Sequence, residues 1–210
     1  MLQKTFAEVS FKSEVDHLNI QYKRDFLTPQ KADKYYEILD NLIKKMDDSD
    51  HKRINISFGD NEICNYYKDT QSWDDSNDIV CQIIRVMKHQ VEKFTGLKYN
   101  YAYINRYPTG AISMGKHKDR EVIDEQSAIV GISLGCIREM QFESDGFIPE
   151  EMPKKIILSL DHGSIYVMNW PTNSFWTHEI LKNTKAYGSR VSVTFRYIYP
   201  NEKDDKQISY

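Results

Sequence analysis

The chain has 210 residues, of which 40% are hydrophobic and 12% aromatic, and its formal net charge at pH 7 is −3. A chain of this length can bury a hydrophobic core without disulfide or metal staples, and its composition is that of a soluble globular protein. The slightly acidic balance excludes a global basic surface for nucleic acid, although 28 Lys and Arg leave a local basic face open.

Two helices are predicted in the first half of the chain. The segment FLTPQKADKYYEILDNLIKKM begins with Thr28 as an N-cap and Pro29 at the first helical position. Its apolar residues recur at helical spacing: Ala32, Tyr35, Leu39, Leu42, Ile43 and Met46. A second helix in SWDDSNDIVCQIIRVMKHQVEKFTG ends at Gly96. Its predicted apolar face comprises Ile79, Ile83, Val86, Met87 and Phe94.

After Gly96 the character of the sequence changes to short β-branched and aromatic runs, which predict seven or eight strands. The runs are KYNYAYINRY, SAIVGISLG, REMQFES, KKIILSL, GSIYVMNW, FWTHEIL and RVSVTFRYIY. Helices followed by strands predict an α+β fold, with an antiparallel double-sheet barrel or jelly roll and the helices packed on one outer face. The final PNEKDDKQISY is polar, and we expect a frayed tail.

The three cysteines, Cys64, Cys81 and Cys136, are widely spaced and predict reduced thiols rather than a disulfide framework or a zinc site. The first residues, MLQKTFAEVSFKSE, lack the apolar core of a signal peptide, and no apolar run approaches the length of a membrane span. We therefore expect an intracellular, soluble protein with no membrane partner.

The charged segment GKHKDRE places His117 and Asp119 two residues apart. At or near a strand end, both side chains would point to the same face. An imidazole and a carboxylate are two of the three ligands in the facial triad that holds non-haem Fe(II), although this short motif alone often arises by chance. Among the other histidines, His178 lies in a strand-like run late in the β region. The rest lie in helical, turn or charged contexts: His17, His51, His89 and His162.

The run RVSVTFR predicts a strand with one apolar and one polar face. Its polar face would carry Arg190, Ser192, Thr194 and Arg196. Arginines inside a barrel are costly unless they meet anions, and a dicarboxylate would supply two. A solvated strand face is the alternative interpretation. The joint order of HxD, a later histidine and this strand is much harder to obtain by chance than any of its parts.

Together these segments resemble the AlkB family of Fe(II)/2-oxoglutarate-dependent nucleic-acid dealkylases, and among its branches the one that includes the eukaryotic DNA dealkylases. The resemblance runs from about Phe58 to Tyr197 and is carried by INRYPTGAISMGKHKDRE, SAIVGISLGCIREMQF, LDHGSIYVMNWPTNSFWTHEI and RVSVTFR. It implies one dioxygenase domain with a double-stranded β-helix core. Its parts would be N-terminal helices and a nucleotide-recognition lid in 1–98, a jelly-roll catalytic core in 99–200, and a polar tail in 201–210.

The resemblance also implies the ligands of the cofactors, which are Fe(II), the co-substrate 2-oxoglutarate and O₂. The implied metal ligands are His117, Asp119 and His178. The implied co-substrate contacts, with Arg190 on the distal carboxylate, are Asn105, Tyr107, Arg190, Ser192, Thr194 and Arg196. Ser192 stands where many members of the family have Asn, so one hydrogen bond in that pocket would be weaker.

Residues 57–69, SFGDNEICNYYKD, resemble the family's lid. The resemblance implies that Tyr67 stacks on the target base opposite the His117 ring, that Glu121 lies near the base edge, and that Arg53 lies just ahead of the lid. Phe58 is a fourth candidate for a substrate contact. Core packing explains Phe58, Tyr66 and Tyr67 equally well.

The resemblance implies oxidative demethylation of 1-methyladenine and 3-methylcytosine in DNA, with release of formaldehyde and succinate. We expect a monomer. Arg120 replaces an acidic residue and Asn65 a tyrosine of related sequences, which leaves base selectivity open. The stretch NLIKKMDDSDHK lacks the apolar finger that duplex-specialised relatives insert. Because unstacking a base costs a few kcal/mol, we expect single-stranded or distorted DNA, with RNA also open. The alternatives are an oxygenase for modified RNA or a protein side chain, and a binding module with a vestigial iron site.

Overall fold

A computed structural model describes residues 8–14, 17–67, 69–74, 78–119, 124, 126–146 and 154–199. Within these residues, the helices are α1 (Pro29–Met46), α2 (Asn61–Tyr66), α3 (Ile79–Thr95) and α4 (Thr172–Phe175). The strands are β1 (Glu8–Ser13), β2 (Leu18–Lys23), β3 (Ile54–Gly59), β4 (Thr70–Ser72), β5 (Tyr101–Tyr107), β6 (Met114–His117), β7 (Ile129–Gly135), β8 (Arg138–Ser144), β9 (Lys155–Leu160), β10 (Ser164–Met168), β11 (Trp176–Ile180) and β12 (Arg190–Arg196).

The strands form two sheets. The major sheet has the order β1-β2-β10-β7-β12-β5-β3-β4, and the minor sheet has the order β6-β11-β8-β9. Neighbouring strands are antiparallel throughout the described residues, except for the short parallel pair of β3 and β4. Ile129 and Met168 of the major sheet share an apolar cluster with Phe142 and Leu158 of the minor sheet. The two sheets therefore enclose one core, which confirms the predicted jelly roll.

A second apolar cluster lies on the other face of the major sheet, where α1 and α3 cover it. Leu39 of α1 and Met87 of α3 are fully buried in this cluster, together with Val191 and Val193 of β12. Because side chains alternate along a strand, Arg190, Ser192 and Thr194 point to the interior between the sheets. The helices therefore cover the apolar face of β12 and leave its polar face to the enclosed space.

The ends of the two long helices agree with the sequence signals, but the buried face of α3 does not. Thr28 is the N-cap of α1, and Pro29 is the first residue of this helix. Gly96 ends α3 in the left-handed conformation with φ 75°. The predicted contacts of Ile79 and Val86 are wrong, because these side chains are 47% and 45% exposed. The face that packs on the sheet comprises Val80, Cys81, Ile83, Ile84, Met87 and Val91.

The N-terminal region contains strands that the sequence interpretation missed. β1 and β2 precede the first helix, and β3 lies between α1 and α2. β2 joins the major sheet by pairing with β10, from Ile165 opposite Lys23 to Met168 opposite Ile20. The predicted order, with helices first and strands after them, is therefore wrong for the N-terminal region.

The predicted free thiols are confirmed, since Cys64, Cys81 and Cys136 form no disulfide. Among the described residues, no helix has the length and apolar character needed to cross a membrane.

Buried tyrosines should make the fold sensitive to alkali. Burial raises the pKa of Tyr99 to about 12, and this side chain is only 2% exposed. The folded state then keeps a proton that the unfolded chain releases above about pH 10. The stabilisation is complete below pH 10 and is lost as the pH rises towards 12, by about 2–3 kcal/mol for this residue.

We expect Tyr99→Phe to flatten the fall in unfolding free energy between pH 9 and 11.5, measured by urea titration. Tyr187→Phe is the matched control because Tyr187 is 91% exposed, and an equally steep fall in Tyr99→Phe would contradict the prediction.

Candidate metal and co-substrate site

The pairing of β6 with β11 brings the two implied histidine ligands together. His117 ends β6 and lies opposite His178 of β11, so that their ring centroids are 4.2 Å apart. Asp119 Oδ1 lies 3.8 Å from His117 Nε2, and Asp119 Oδ2 lies 3.5 Å from His178 Nε2. All three ligand atoms lie within 4.8 Å of one another. Nitrogen and oxygen ligands lie about 2 Å from a transition-metal ion, so this set fits one shared cation.

The backbone fixes the tautomer of His117. Its Nδ1 lies 2.8 Å from the carbonyl oxygen of Gly115. Because a carbonyl can only accept a hydrogen bond, Nδ1 carries the proton and the lone pair of Nε2 faces Asp119 and His178. Burial, and then the neighbouring imidazole of His178, lower the pKa of His117 below its ordinary value. The ring is therefore neutral at physiological pH, which is the form that binds a metal ion.

Arg196 holds the carboxylate of Asp119 in its ionised form. Its Nη2 donates a hydrogen bond of 2.7 Å to Asp119 Oδ1, and both side chains are mostly buried. Burial raises the pKa of Asp119, but the charge of the Arg196 guanidinium opposes it, and the pKa of this carboxyl lies below its usual range. The site therefore offers two imidazoles and one carboxylate, the donor set of the facial triad.

Asn173 positions the backbone of Asp119, and the sequence interpretation did not identify it. It lies in α4, directly after Pro171 and Thr172, and is 4% exposed. Its Oδ1 accepts a hydrogen bond from the Asp119 N–H at 2.9 Å, and its Nδ2 donates one to the Asp119 carbonyl at 2.5 Å. The signal that could have revealed it is an amide side chain in the tight turn just before the second histidine.

We expect Asn173→Ala to weaken metal binding about tenfold to hundredfold, because the backbone of Asp119 loses both hydrogen bonds to the Asn173 amide. Isothermal titration of Mn(II) into the protein would measure this change. Asn169→Ala is the matched control: its amide contacts the Asn19 side chain at 3.3 Å and does not touch Asp119. Equal Mn(II) affinity in Asn173→Ala and Asn169→Ala would contradict the positioning role.

The six residues implied as co-substrate contacts lie side by side on two neighbouring strands. Arg190 is opposite Tyr107 and Ser192 is opposite Asn105 in the pairing of β12 with β5. All six side chains belong to the face of the major sheet that looks into the space between the sheets. They are Asn105, Tyr107, Arg190, Ser192, Thr194 and Arg196.

Arg190 is a buried cation whose hydrogen bonds, within the described residues, go to neutral groups. Its Nε donates to Ser133 Oγ at 2.8 Å and its Nη2 donates to Ser192 Oγ at 3.3 Å, while the guanidinium lies 5.3 Å from the Tyr107 ring centroid. Burial lowers the pKa of Arg190. Its Nη1 and the Asn105 Oδ1 are buried without a hydrogen bond to the described residues. A guanidinium in this position fits a bound carboxylate, which would accept from Nη1.

The structure places the residues implied as substrate contacts in different parts of the fold. The Tyr67 ring lies 5.7 Å from Tyr101, which in turn lies 6.3 Å from Tyr103, so three tyrosines form a continuous aromatic row. Arg53 reaches β6, where its guanidinium contacts the Met114 sulfur. Glu121 and Arg120 lie outside the described residues.

The predicted substrate contact of Phe58 is wrong. Its ring is 1% exposed and belongs to the cluster beneath α1 and α3. The neighbouring residue Ser57 pairs with Tyr103, whose side chain shares the interior face of the major sheet with Asn105. Because adjacent residues of a strand point to opposite faces, Phe58 points away from the candidate site.

The model of the 2OG-Fe(II) oxygenase superfamily matches residues 7–196. The chain belongs to the 2OG-Fe(II) oxygenase superfamily. The cofactors of this superfamily are Fe(II), 2-oxoglutarate and O₂, and the residues present fit them. The imidazoles of His117 and His178 and the carboxylate of Asp119 suit the metal ion, and the buried Arg190 suits a carboxylate of 2-oxoglutarate.

Relatives within this superfamily confirm the resemblance to the AlkB family. The chain is 34% identical over 125 residues to DNA oxidative demethylase ALKBH2 of Bos taurus, covering 58% of this chain and 45% of that protein. ALKBH2 of Homo sapiens is also 34% identical over 125 residues, covering 58% and 48%. Alpha-ketoglutarate-dependent dioxygenase alkB homolog 3 of Homo sapiens is 28% identical over 127 residues, covering 58% and 44%. The chain thus spans about half the length of the curated relatives it matches.

A solved structure confirms the fold without informing the substrate. It is a prolyl hydroxylase from Trichoplax adhaerens in complex with a peptide fragment of the hypoxia inducible factor oxygen degradation domain. The similarity covers 85% of this chain and 83% of that chain, with a TM-score of 0.59. Because the sequence identity is only 11%, this likeness shows the jelly-roll fold alone.

Proposed function

We propose that this protein is an Fe(II)/2-oxoglutarate-dependent dioxygenase that removes methyl groups from N-alkylated bases, 1-methyladenine and 3-methylcytosine, in DNA. The observation that carries this proposal is one site that combines three side chains able to hold a metal ion with the buried Arg190 and the mostly buried Arg196. His117, Asp119 and His178 lie within 4.8 Å of one another, and Arg196 joins Asp119 to the strand that carries Arg190. The names of the ALKBH2 and alkB homolog 3 relatives support DNA as the substrate class.

When bound, Fe(II) with 2-oxoglutarate and O₂ would supply the oxidation of the N-methyl group, with succinate, CO₂ and formaldehyde as products. The protein's own residues prepare this site. Arg196 keeps Asp119 ionised, and the carbonyl of Gly115 leaves the Nε2 of His117 unprotonated. Arg190 would bind the distal carboxylate of 2-oxoglutarate, assisted by Asn105 and Tyr107. His178 and Arg190 are 5% and 1% exposed, and burial of this kind strengthens electrostatic contacts.

The aromatic row of Tyr67, Tyr101 and Tyr103 supports a base as the substrate. Each ring lies within 6.3 Å of the next, and Tyr101 is opposite Arg196 in the pairing of β5 with β12. The row therefore leads from the lid towards the candidate metal ligands. Stacking of a base on an aromatic ring contributes about 1–3 kcal/mol. In this proposal Tyr67 stacks on one side of the methylated base and His117 on the other, and Glu121 favours a cationic base.

The connection between α1 and β3 supports single-stranded or distorted DNA. Residues 47–52, DDSDHK, are all polar, and Lys52 forms a 2.6 Å ion pair with Asp47. A polar turn of this kind offers no apolar side chain to insert into a base stack, so the energy of unstacking a duplex base would not be recovered here. All three ligands and both arginines come from one chain, which supports a monomer. Repair of DNA would require an intracellular location.

Formaldehyde release from methylated oligonucleotides tests this function. The protein would be loaded with Fe(II) under anaerobic conditions and given 2-oxoglutarate, air and oligonucleotides carrying one 1-methyladenine or 3-methylcytosine. We expect faster release from single-stranded DNA than from the matching duplex, and none from the same oligonucleotide without the methyl group. Methylated RNA and a methylated peptide complete the comparison. Turnover on the peptide alone, or on RNA but not on DNA, would contradict the proposed substrate.

A further inference from the structure

Tyr166 is a buried, titratable residue for which the proposed chemistry has no role so far. It lies on β10 and is 6% exposed. It pairs with Gly131 of β7, and Gly131 pairs in turn with Thr194 of β12. Residues that pair across neighbouring strands share a face of the sheet. Tyr166 therefore faces the same interior space as Thr194, one of the implied co-substrate contacts.

The phenol ring of Tyr166 crosses over Gly131 towards β12. A Cβ placed on Gly131 would lie 2.1 Å from Cε1, 2.5 Å from Cζ and 2.7 Å from the hydroxyl oxygen of Tyr166. These distances are shorter than any van der Waals contact, so any side chain at residue 131 would displace the ring. Gly131 is therefore required for close approach, and the pair directs the Tyr166 hydroxyl into the interior of the jelly roll.

The Tyr166 hydroxyl makes no hydrogen bond to the described residues. In contrast, Tyr22 is opposite Tyr166 on β2 and donates a 2.7 Å hydrogen bond to Asp161. Burial and then the charge of Asp119 raise the pKa of Tyr166 to about 12, although Arg190 and Arg196 act in the opposite direction. The hydroxyl is thus a neutral donor near the metal ligand and both arginines. With no acceptor among the described residues, this hydroxyl is available to donate a hydrogen bond to a bound ligand.

Two neighbouring pairs indicate which end of a ligand the hydroxyl would meet. Arg190 donates hydrogen bonds to Ser133 and Ser192, and these two serines pair with each other. The pair of Gly131 and Thr194 lies two residues further along the same strands, a distance of about 7 Å. The Tyr166 ring, lying over Gly131, is therefore a direct neighbour of the Arg190 guanidinium on the interior face of the sheet.

We propose that Tyr166 is a positioning residue for the co-substrate, and that its hydroxyl donates a hydrogen bond to the carboxylate of 2-oxoglutarate that pairs with Arg190. The inference rests on the proposed function only for the identity of the co-substrate. Gly131 is required for this contact, because the Tyr166 phenol reaches the carboxylate only by crossing a residue without a side chain.

Ligand binding without turnover tests this role. The full-length protein would be loaded with Mn(II) and titrated with N-oxalylglycine, which has both carboxylates of 2-oxoglutarate, and with oxalate, which lacks the distal one. We expect Tyr166→Phe to bind N-oxalylglycine about tenfold more weakly than the wild type, with oxalate and Mn(II) affinities unchanged. Tyr22→Phe is the matched control, because it removes a hydroxyl from the neighbouring strand whose hydrogen bond goes to Asp161. It should bind both ligands like the wild type.

Three results would overturn the inference: equal affinity of Tyr166→Phe and wild type for N-oxalylglycine, equal weakening for oxalate, or no binding of N-oxalylglycine by the wild type. Equal weakening for oxalate would mean that the hydroxyl acts at the metal end or through the packing of the core. A wild type that binds N-oxalylglycine but releases no formaldehyde from any methylated oligonucleotide would contradict the proposed substrate. The binding comparison between Tyr166→Phe and the wild type would still test the inference about Tyr166.

Discussion

Replacing Asp119 with alanine should strongly weaken iron binding and abolish formaldehyde release. The substitution removes the only carboxylate from the ligand set. In the wild type, Arg196 donates a 2.7 Å hydrogen bond to Asp119 Oδ1. Without this carboxylate, the positive charge of Arg196 would face the metal position without a counterion. The remaining imidazoles would have to bind a cation against this charge. We therefore expect Fe(II) affinity to fall at least about hundredfold, and formaldehyde release to reach background. Anaerobic titration with Fe(II) measures the first effect.

The substitution should also cost stability, so it needs a control with a comparable structural loss. Removing one partner of a buried ion pair costs about 3–5 kcal/mol. Asp40 and Arg106 form a second Asp–Arg pair of 2.7 Å, with side chains 16% and 8% exposed, on the helix side of the major sheet. Asp40→Ala should therefore lose similar stability and keep its Fe(II) affinity. If Asp119→Ala bound Fe(II) within tenfold of the wild type, Asp119 would not be a metal ligand.

Replacing Arg190 with methionine should separate stability from co-substrate binding. Arg190 is buried among neutral groups, so its charge lowers the stability of the fold unless an anion binds beside it. We expect Arg190→Met to leave the unfolding free energy within about 1 kcal/mol of the wild type, or to raise it. Binding of 2-oxoglutarate to the Mn(II)-loaded protein should weaken at least about hundredfold, because a buried charge pair is lost.

Arg138 offers a matched comparison with the opposite expectation. Its guanidinium lies 5.8 Å from the centroid of the same Tyr107 ring and is equally buried. It donates hydrogen bonds to three backbone carbonyls, at 3.2 Å to Thr109, 2.7 Å to Ile112 and 2.6 Å to Leu181. Arg138→Met should therefore lower the unfolding free energy by about 3 kcal/mol, since three partly buried carbonyls lose their donor. A large loss of stability in Arg190→Met, similar to that of Arg138→Met, would make Arg190 a structural residue.

The sequence by itself determined the residue types of the candidate site and their order along the chain. The two-residue spacing of His117 and Asp119, and the alternation of polar and apolar residues from Arg190 to Arg196, are local patterns that strand geometry converts directly into shared faces. The N-cap at Thr28 and the left-handed Gly96 are also local, because backbone dihedral preferences act within a few residues. The succession of short strands after Gly96 predicted the jelly roll, whereas β1, β2 and β3 before it were missed.

The tertiary structure alone decided which distant residues meet. The position of His178 opposite His117, and the hydrogen bonds of Asn173 to the Asp119 backbone, depend on the register between strands that are far apart in the chain. The same is true of Phe58, whose type fits a substrate contact as well as a core position. Its face of the sheet is fixed by the pairing of β3 with β5.

The helical repeat in the sequence likewise did not predict which face of α3 is buried. Ile79 and Val86 fit a helical repeat, but the helix is turned so that Val80 and Ile84 meet the sheet. Local spacing sets which residues share a helix face, whereas packing against other elements chooses the face that is buried. The approach of Tyr166 over Gly131 follows the same rule. Each residue is unremarkable in the sequence, and only the pairing of β10 with β7 brings the ring onto the glycine.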